Sequence, residues 1–179
     1  MDNKKKSQFI EYFSKGIKNS NQLKIGVEHE RFLFEGQNKK RISYETLKRL
    51  FENLKKSGWK PLFEKENIIG MQRNKQQITT EPGLQCELSG APLENIHQVC
   101  TESSNFLKEI QLASKGLDLN TVSIGFDPFN NLLEVPRSPK QRYNIMTKEM
   151  PKGGSQSLEM MYRTCGIQIN YDYTSEKIL

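Results

Sequence analysis

The sequence predicts an α+β protein built on a mainly antiparallel sheet with flanking helices. Helical patterns alternate unevenly with groups of strand-like runs joined by short polar turns, which disfavours a regularly wound parallel sheet. Neither GxGxxG nor GxxxxGK[ST] occurs in the 179 residues, so the glycine-rich phosphate loops of parallel α/β proteins find no support.

The elements follow in chain order. Residues 7–18 read as a short amphipathic helix, with Phe9, Ile10, Phe13 and Ile17 at helical spacing. Residues 23–35 read as a strand whose apolar set, Ile25, Val27, Phe32 and Phe34, is broken by Glu28-His29-Glu30. Residues 43–57 give the clearest helix: Ser43 caps it, Leu47, Leu50, Phe51 and Leu54 form one stripe, and Gly58 ends it. Strands are expected over 59–65, 67–73 and 76–88, the last bent at Pro82-Gly83. A long helix over 93–116 turns Leu93, Ile96, Val99, Cys100, Phe106, Leu107 and Ile110 inward, with Gly116 at its end. A strand over 119–126, a loop over 127–140, a helical turn or two over 143–150, a link at Gly153-Gly154 and a strand over 157–173 complete the reading.

Bulk properties narrow the function. The chain has 35% hydrophobic and 27% charged residues, and no apolar run approaches the roughly 18 residues of a membrane span. The basic N-terminus lacks the apolar segment of a secretory signal, so a cytoplasmic location is expected. Three cysteines, Cys86, Cys100 and Cys165, have no zinc-ligand spacing and read as free thiols. A net charge of +6 permits a polyanion partner. However, the basic residues over 48–56 read as the solvated face of a helix, and no nucleic-acid-binding pattern is visible. The expected partners are small molecules, with no nucleic acid and no membrane; the sequence does not fix the oligomeric state.

Acidic residues on strands carry the chemistry. Residues two apart on a strand share a face, so Glu28 and Glu30 point the same way. Two carboxylates on one face repel unless a cation or hydrogen-bond donors stand between them. Glu81 and Glu87 are six residues apart, an even spacing that keeps one face if the bend preserves register. Such oxygen donors suit Mg²⁺ or Mn²⁺, and Mg²⁺ commonly retains substrate phosphates among its ligands. The alternatives are an edge strand facing solvent and a hairpin with polar rims. Further along, Gln168, Asn170 and Asp172 share a strand face near Arg163, which suits a polar ligand. His29 and His97 are expected to be structural, and Cys86, alternating with Glu87, to face the core.

The segments GVEHERF, ITTEPGLQCELSGAPLENIHQVC, IGFDP, KQRYNIM, MPKGG and MMYRTCGIQINYDYTSE occur in one order. Over residues 20–177 this order resembles glutamate–cysteine ligases of the proteobacterial and plant type. The resemblance implies a curved antiparallel sheet like the catalytic fold of glutamine synthetase, present here incompletely. It also implies ATP-dependent joining of the γ-carboxylate of L-glutamate to the amine of L-cysteine through an acyl phosphate, the first step of glutathione biosynthesis. By the resemblance Glu28, Glu30, Glu81 and Glu87 hold Mg²⁺, Gln168 and Asn170 lie on a neighbouring strand of the ATP site, and Arg163 and Arg142 contact substrate carboxylate or phosphate. The family has EPGGQ where this sequence has Leu84. Family members are much longer, so residues 1–179 are expected to be the N-terminal portion of a single catalytic domain, inactive alone. A related ligase with another amine, or a non-catalytic nucleotide-binding remnant, is the competing reading.

Overall fold

The computed structural model describes residues 3–175. Among the described residues eight strands form one antiparallel sheet in the order β2-β1-β6-β5-β4-β3, with β7 and β8 also paired to β1. They comprise β1 (Ile25–Glu35), β2 (Lys40–Arg41), β3 (Lys60–Glu64), β4 (Asn67–Arg73), β5 (Gln76–Thr80), β6 (Cys86–Ser89), β7 (Leu119–Val122) and β8 (Ile167–Tyr171). Five α-helices accompany them among the described residues: α1 (Asn3–Ser14), α2 (Tyr44–Leu54), α3 (Ile96–Ala113), α4 (Gln141–Glu149) and α5 (Ser157–Arg163). The α+β class with an antiparallel sheet is therefore observed. No helix among the described residues is long and apolar enough to cross a membrane.

The sheet has two unlike faces. His29 lies opposite Leu88, and Arg31 opposite Cys86, on β6; Ile78 lies opposite Leu88 and Met71 on the next strands. Leu33, Cys86, Leu88, Ile78 and Met71 consequently share one face, where they pack with Leu47, Leu50, Phe51 and Leu54 of α2 and Phe106 and Ile110 of α3. Each such side chain contributes roughly 1.5–3 kcal/mol when buried. The alternate residues, Glu28, Glu30, Glu87, Ser89, Thr79 and Gln168, occupy the other face.

Local signals fix α2 as the sequence implies. The Ser43 hydroxyl accepts from the Thr46 amide at 3.2 Å, and Gly58 closes the helical segment at φ +83°. The basic side chains on this helix face solvent, and Lys48 and Lys55 pair with Glu45 and Glu52.

Several elements differ from the sequence reading. The run 157–173 is a helix, α5, followed by β8. Leu158, Met161 and Tyr162 recur at helical spacing and pack on Val135 and Tyr143, while the strand alternation starts only at Ile167. The segment 76–88 is a hairpin of β5 and β6 rather than one bent strand. Helix α3 buries Val99, Glu102, Phe106 and Ile110, leaving Ile96, His97 and Cys100 exposed. The buried Glu102 is satisfied by Gln76 at 2.6 Å and the Ala91 amide at 2.9 Å. Helix α1 ends at Ser14, and its stripe of Phe9, Ile10 and Phe13 stays more than half exposed.

The turn joining β5 and β6 is held from three sides. A Cβ on Gly83 would strike the Tyr162 carbonyl oxygen. The Gly83 carbonyl accepts from Arg41, and its amide donates to Gln85 Oε1 at 2.7 Å. Leu84 takes the left-handed conformation at φ +57° while fully buried in the main core. Leu84→Gly should relieve strain of about 1–2 kcal/mol but forfeit about 3–4 kcal/mol of buried leucine packing. Urea unfolding should show a net loss of about 2 kcal/mol; an unchanged midpoint would contradict the packing role.

Candidate active site

Three strands and a turn bring the acidic residues together. Glu30 on β1 lies directly opposite Glu87 on β6, and Glu87 opposite Thr79 on β5. Glu81 opens the hairpin turn, its amide donating to the Gln85 carbonyl at 2.9 Å. One carboxylate oxygen from each of Glu30, Glu81 and Glu87 lies within 4.8 Å of the others. Glu81 and Glu87 converge because the chain reverses between them, which corrects the expectation based on even spacing.

Glu28 stands one step along β1, opposite Ser89 and Gln168. Its Oε1 accepts from Gln168 Nε2 at 3.2 Å and Asn170 Nδ2 at 3.0 Å. The expected set of four carboxylates is thus a cluster of three with Glu28 beside it, and Gln168 and Asn170 are turned onto Glu28. Two hollows meet at Glu28. One of about 490 Å³ is lined by Glu28, Glu64, Glu81, Glu87, Lys140 and Arg142 among others. The second, about 230 Å³, is lined by Glu28, Glu30, Gly166, Ile167 and Gln168. A larger hollow of about 710 Å³ lies beside α3, away from this cluster. Its buried acid, Glu102, already has hydrogen-bond partners in Gln76 and the Ala91 amide.

The electrostatics follow from burial and crowding. Burial pushes the Glu81 carboxyl up to about 7, and neighbouring Glu87 adds to the rise. Lys140, the Tyr143 hydroxyl at 3.1 and 3.2 Å, and Arg142 at 3.7 Å oppose it. Glu30 is also raised, first by burial and then by Glu87 and Glu28, against the Gly166 amide, which donates to it at 2.7 Å. Glu87 is 8% exposed and accepts from Ser89 Oγ at 2.6 Å and Thr79 Oγ1 at 3.3 Å. Carboxylates packed this closely are costly to ionise together without a cation.

Arg142, at the start of α4, reaches the cleft and pairs with Glu81. Arg163 does not join the cluster. Its guanidinium donates to Glu159 at 2.6 Å and to the Asp127 carbonyl at 2.8 Å, and lies over the Phe126 ring. Reading 157–173 as a strand placed Arg163 beside the polar face; the end of α5 directs it into this scaffold instead. Asp172, expected beside Asn170 as a ligand group, binds Lys18 Nζ at 2.7 Å and the Lys24 amide at 2.8 Å. Of the cysteines, Cys86 is buried with its thiol pushed up to about 12, and burial also raises Cys165, so neither is poised as a thiolate.

Two site residues escaped the sequence reading. Lys140 lines the cleft while only 7% exposed, and Tyr143 donates to Glu81. Both belong to the KQRYNIM segment, where the only available signal was a second cation two residues before Arg142.

An antiparallel sheet with a polar face of clustered carboxylates bordered by cations belongs to the class of proteins that present oxygen donors of the kind a hard divalent cation takes. The chain matches the model of Glutamate-cysteine ligase family 2 (GCS2) over residues 24–179. It is 41% identical over 172 residues to "Glutamate--cysteine ligase, chloroplastic" of Medicago truncatula, covering 96% of this chain and 34% of that protein. For the enzyme of the same name in Nicotiana tabacum the identity is 40%, with 96% and 33% covered. For "Glutamate--cysteine ligase A, chloroplastic" of Oryza sativa subsp. japonica it is 39%, with 96% and 35% covered. This chain belongs to glutamate–cysteine ligase family 2. It spans about a third of the length of the curated relatives it matches.

Proposed function

We propose that this chain supplies part of the catalytic domain of an ATP-dependent glutamate–cysteine ligase, with Mg²⁺ held by Glu30, Glu81 and Glu87. The observation that carries the reading is the convergence of those three carboxylates within 4.8 Å on the open face of the sheet. The donor set fits the ion: it is all oxygen, negatively charged and partly desolvated. When bound, Mg²⁺ neutralises phosphate charge as the phosphoryl group moves.

The chain's own residues do the rest by position. Glu28, held by Gln168 and Asn170, links the two hollows and presents a further carboxylate beside the cluster. Arg142 remains largely exposed beside Glu81, where its planar donors suit a carboxylate or phosphate of the substrates. Arg163 acts as a scaffold residue through Glu159 and Asp127. We further propose that the open sheet belongs to the glutamine synthetase type of catalytic fold, in which rigid strands hold ligands in place.

Mn²⁺ titration followed by electron paramagnetic resonance tests the cation site on this 179-residue chain. The wild type should bind Mn²⁺, and Glu87→Gln should weaken it by at least about tenfold with the circular dichroism unchanged. Equal affinity would defeat the assignment. In the protein that carries this chain, ADP release should require both L-glutamate and L-cysteine. Release supported equally by another amine would favour a sister ligase, and Mg²⁺-dependent ATP binding without ADP would favour a non-catalytic nucleotide-binding module.

A further inference from the structure

Lys140 has a buried stem whose ammonium opens into the cleft without a hydrogen-bonding counter-ion. It is 7% exposed and lines the 490 Å³ cleft together with Arg142, Glu81 and Glu87. The apolar stem is packed away while the charged head faces the cleft, where it is available to an anion. Among the described residues no carboxylate lies within ion-pair distance of its Nζ, and no hydrogen bond involves that atom. Tyr143 packs below it, the ammonium 5.5 Å from the ring centre. Burial depresses its pKa and the Arg142 charge adds to this, opposed chiefly by Glu81 and to a lesser degree by Glu87 and Glu64.

The backbone holds the residue in place. Lys140 precedes the first turn of α4, and its carbonyl accepts from the Tyr143 amide at 3.1 Å. The next residue's amide donates to Glu64 Oε2 at 2.7 Å, tying this turn to β3. Ser138 is fixed to the far side of the hairpin through Thr80 Oγ1 at 2.8 Å and the Pro82 carbonyl at 2.9 Å. The cation is therefore carried by a segment anchored on both sides of the cleft.

We propose that Lys140 is an oxyanion-binding residue, holding a phosphoryl oxygen in the cleft beside the carboxylate cluster. This rests on the cation site proposed above. Once Glu30, Glu81 and Glu87 are neutralised by a divalent ion, the ammonium no longer serves to balance them and faces the anion that the ion brings. A compact, rotatable ammonium suits one oxygen of a tetrahedral group, whereas the neighbouring Arg142 fork suits a planar or bidentate one. The two cations divide the anionic groups of the substrates between them.

The test uses the full 179-residue chain with inorganic phosphate as probe, titrated by calorimetry with and without saturating Mg²⁺. L-glutamate is titrated in parallel. Lys140→Met should lose phosphate affinity by at least about tenfold, and Lys140→Arg should recover most of it. Mn²⁺ affinity of Lys140→Met should rise, because a repelling charge has left the carboxylates. A merely structural lysine would lower both affinities together, and that result overturns the proposal. So would absence of phosphate binding by the wild type, unchanged phosphate affinity in Lys140→Met, or a loss confined to L-glutamate. If phosphate binding depends on Lys140 while the wild type binds no Mn²⁺, the oxyanion site stands and the cation reading fails.

Discussion

Asp127→Ala should destabilise this chain by about 3–5 kcal/mol, the usual cost of stripping one partner from a buried ion pair. The Arg41 and Asp127 side chains are both fully buried, with Nη1 and Oδ2 3.3 Å apart. Asp127 also accepts from the backbone amides of Phe129 at 2.9 Å and Asn130 at 3.2 Å. Arg41 in turn reaches the carbonyls of Gly83 and Tyr162, so it joins the turn that begins with Glu81 to the end of α5. Removing Asp127 would leave a guanidinium buried over the Phe32 ring with only those carbonyls. Urea unfolding gives the stability change, and Mn²⁺ affinity reports whether the loosened turn still holds Glu81. A loss below about 1 kcal/mol, the level of an exposed pair, would show that the pair is not sealed from water.

The second large effect is a dependence of stability on pH in the absence of divalent ions. The folded Glu81 pKa, about 7, stands above its ordinary 4.5. Below about pH 4.5 the group is protonated in both states and carries no penalty. Between 4.5 and 7 the unfolded chain releases the proton while the folded chain keeps it, so stability falls as pH rises. Above 7 the full penalty, about 3 kcal/mol, is present. Glutamine mimics the protonated acid, so Glu81→Gln should match the wild type near pH 4 and exceed its stability by about 3 kcal/mol near pH 8 in EDTA. Taking the difference between the two proteins isolates the contribution of Glu81 from those common to both. Saturating Mg²⁺ should reverse the order at pH 8, because only the intact carboxylate cluster gains the ion. A difference that stays flat from pH 4 to 8 would show that Glu81 is not held in a desolvated, crowded site.

Sequence pattern alone determined a good deal of this. The apolar stripe of α2, its Ser43 cap and its Gly58 stop act within a few residues of one another, so they were legible without the fold. So was the shared face of Glu28 and Glu30, because side-chain direction on a strand repeats every two residues. The alternation of Cys86 and Glu87 likewise placed one in the core and the other on the polar face. Local pattern failed where two periods overlapped: Leu158, Met161 and Tyr162 lie in a run that fits either element, and only their packing with Val135 and Tyr143 settles a helix.

The tertiary structure decided what the carboxylates meet. Strand pairing set Glu30 against Glu87, and the hairpin, rather than an even count along one strand, delivered Glu81. Lys140 entered the cleft from the cap of α4 and Tyr143 from its first turn, an element too short to show which face it would bury. Arg41 carries no local signal of burial, because its partner, Asp127, lies far along the chain. The physical reason is range: capping and side-chain alternation are fixed by neighbours in sequence, whereas register, burial and the shifted protonation of Glu81 arise only when distant segments exclude water together.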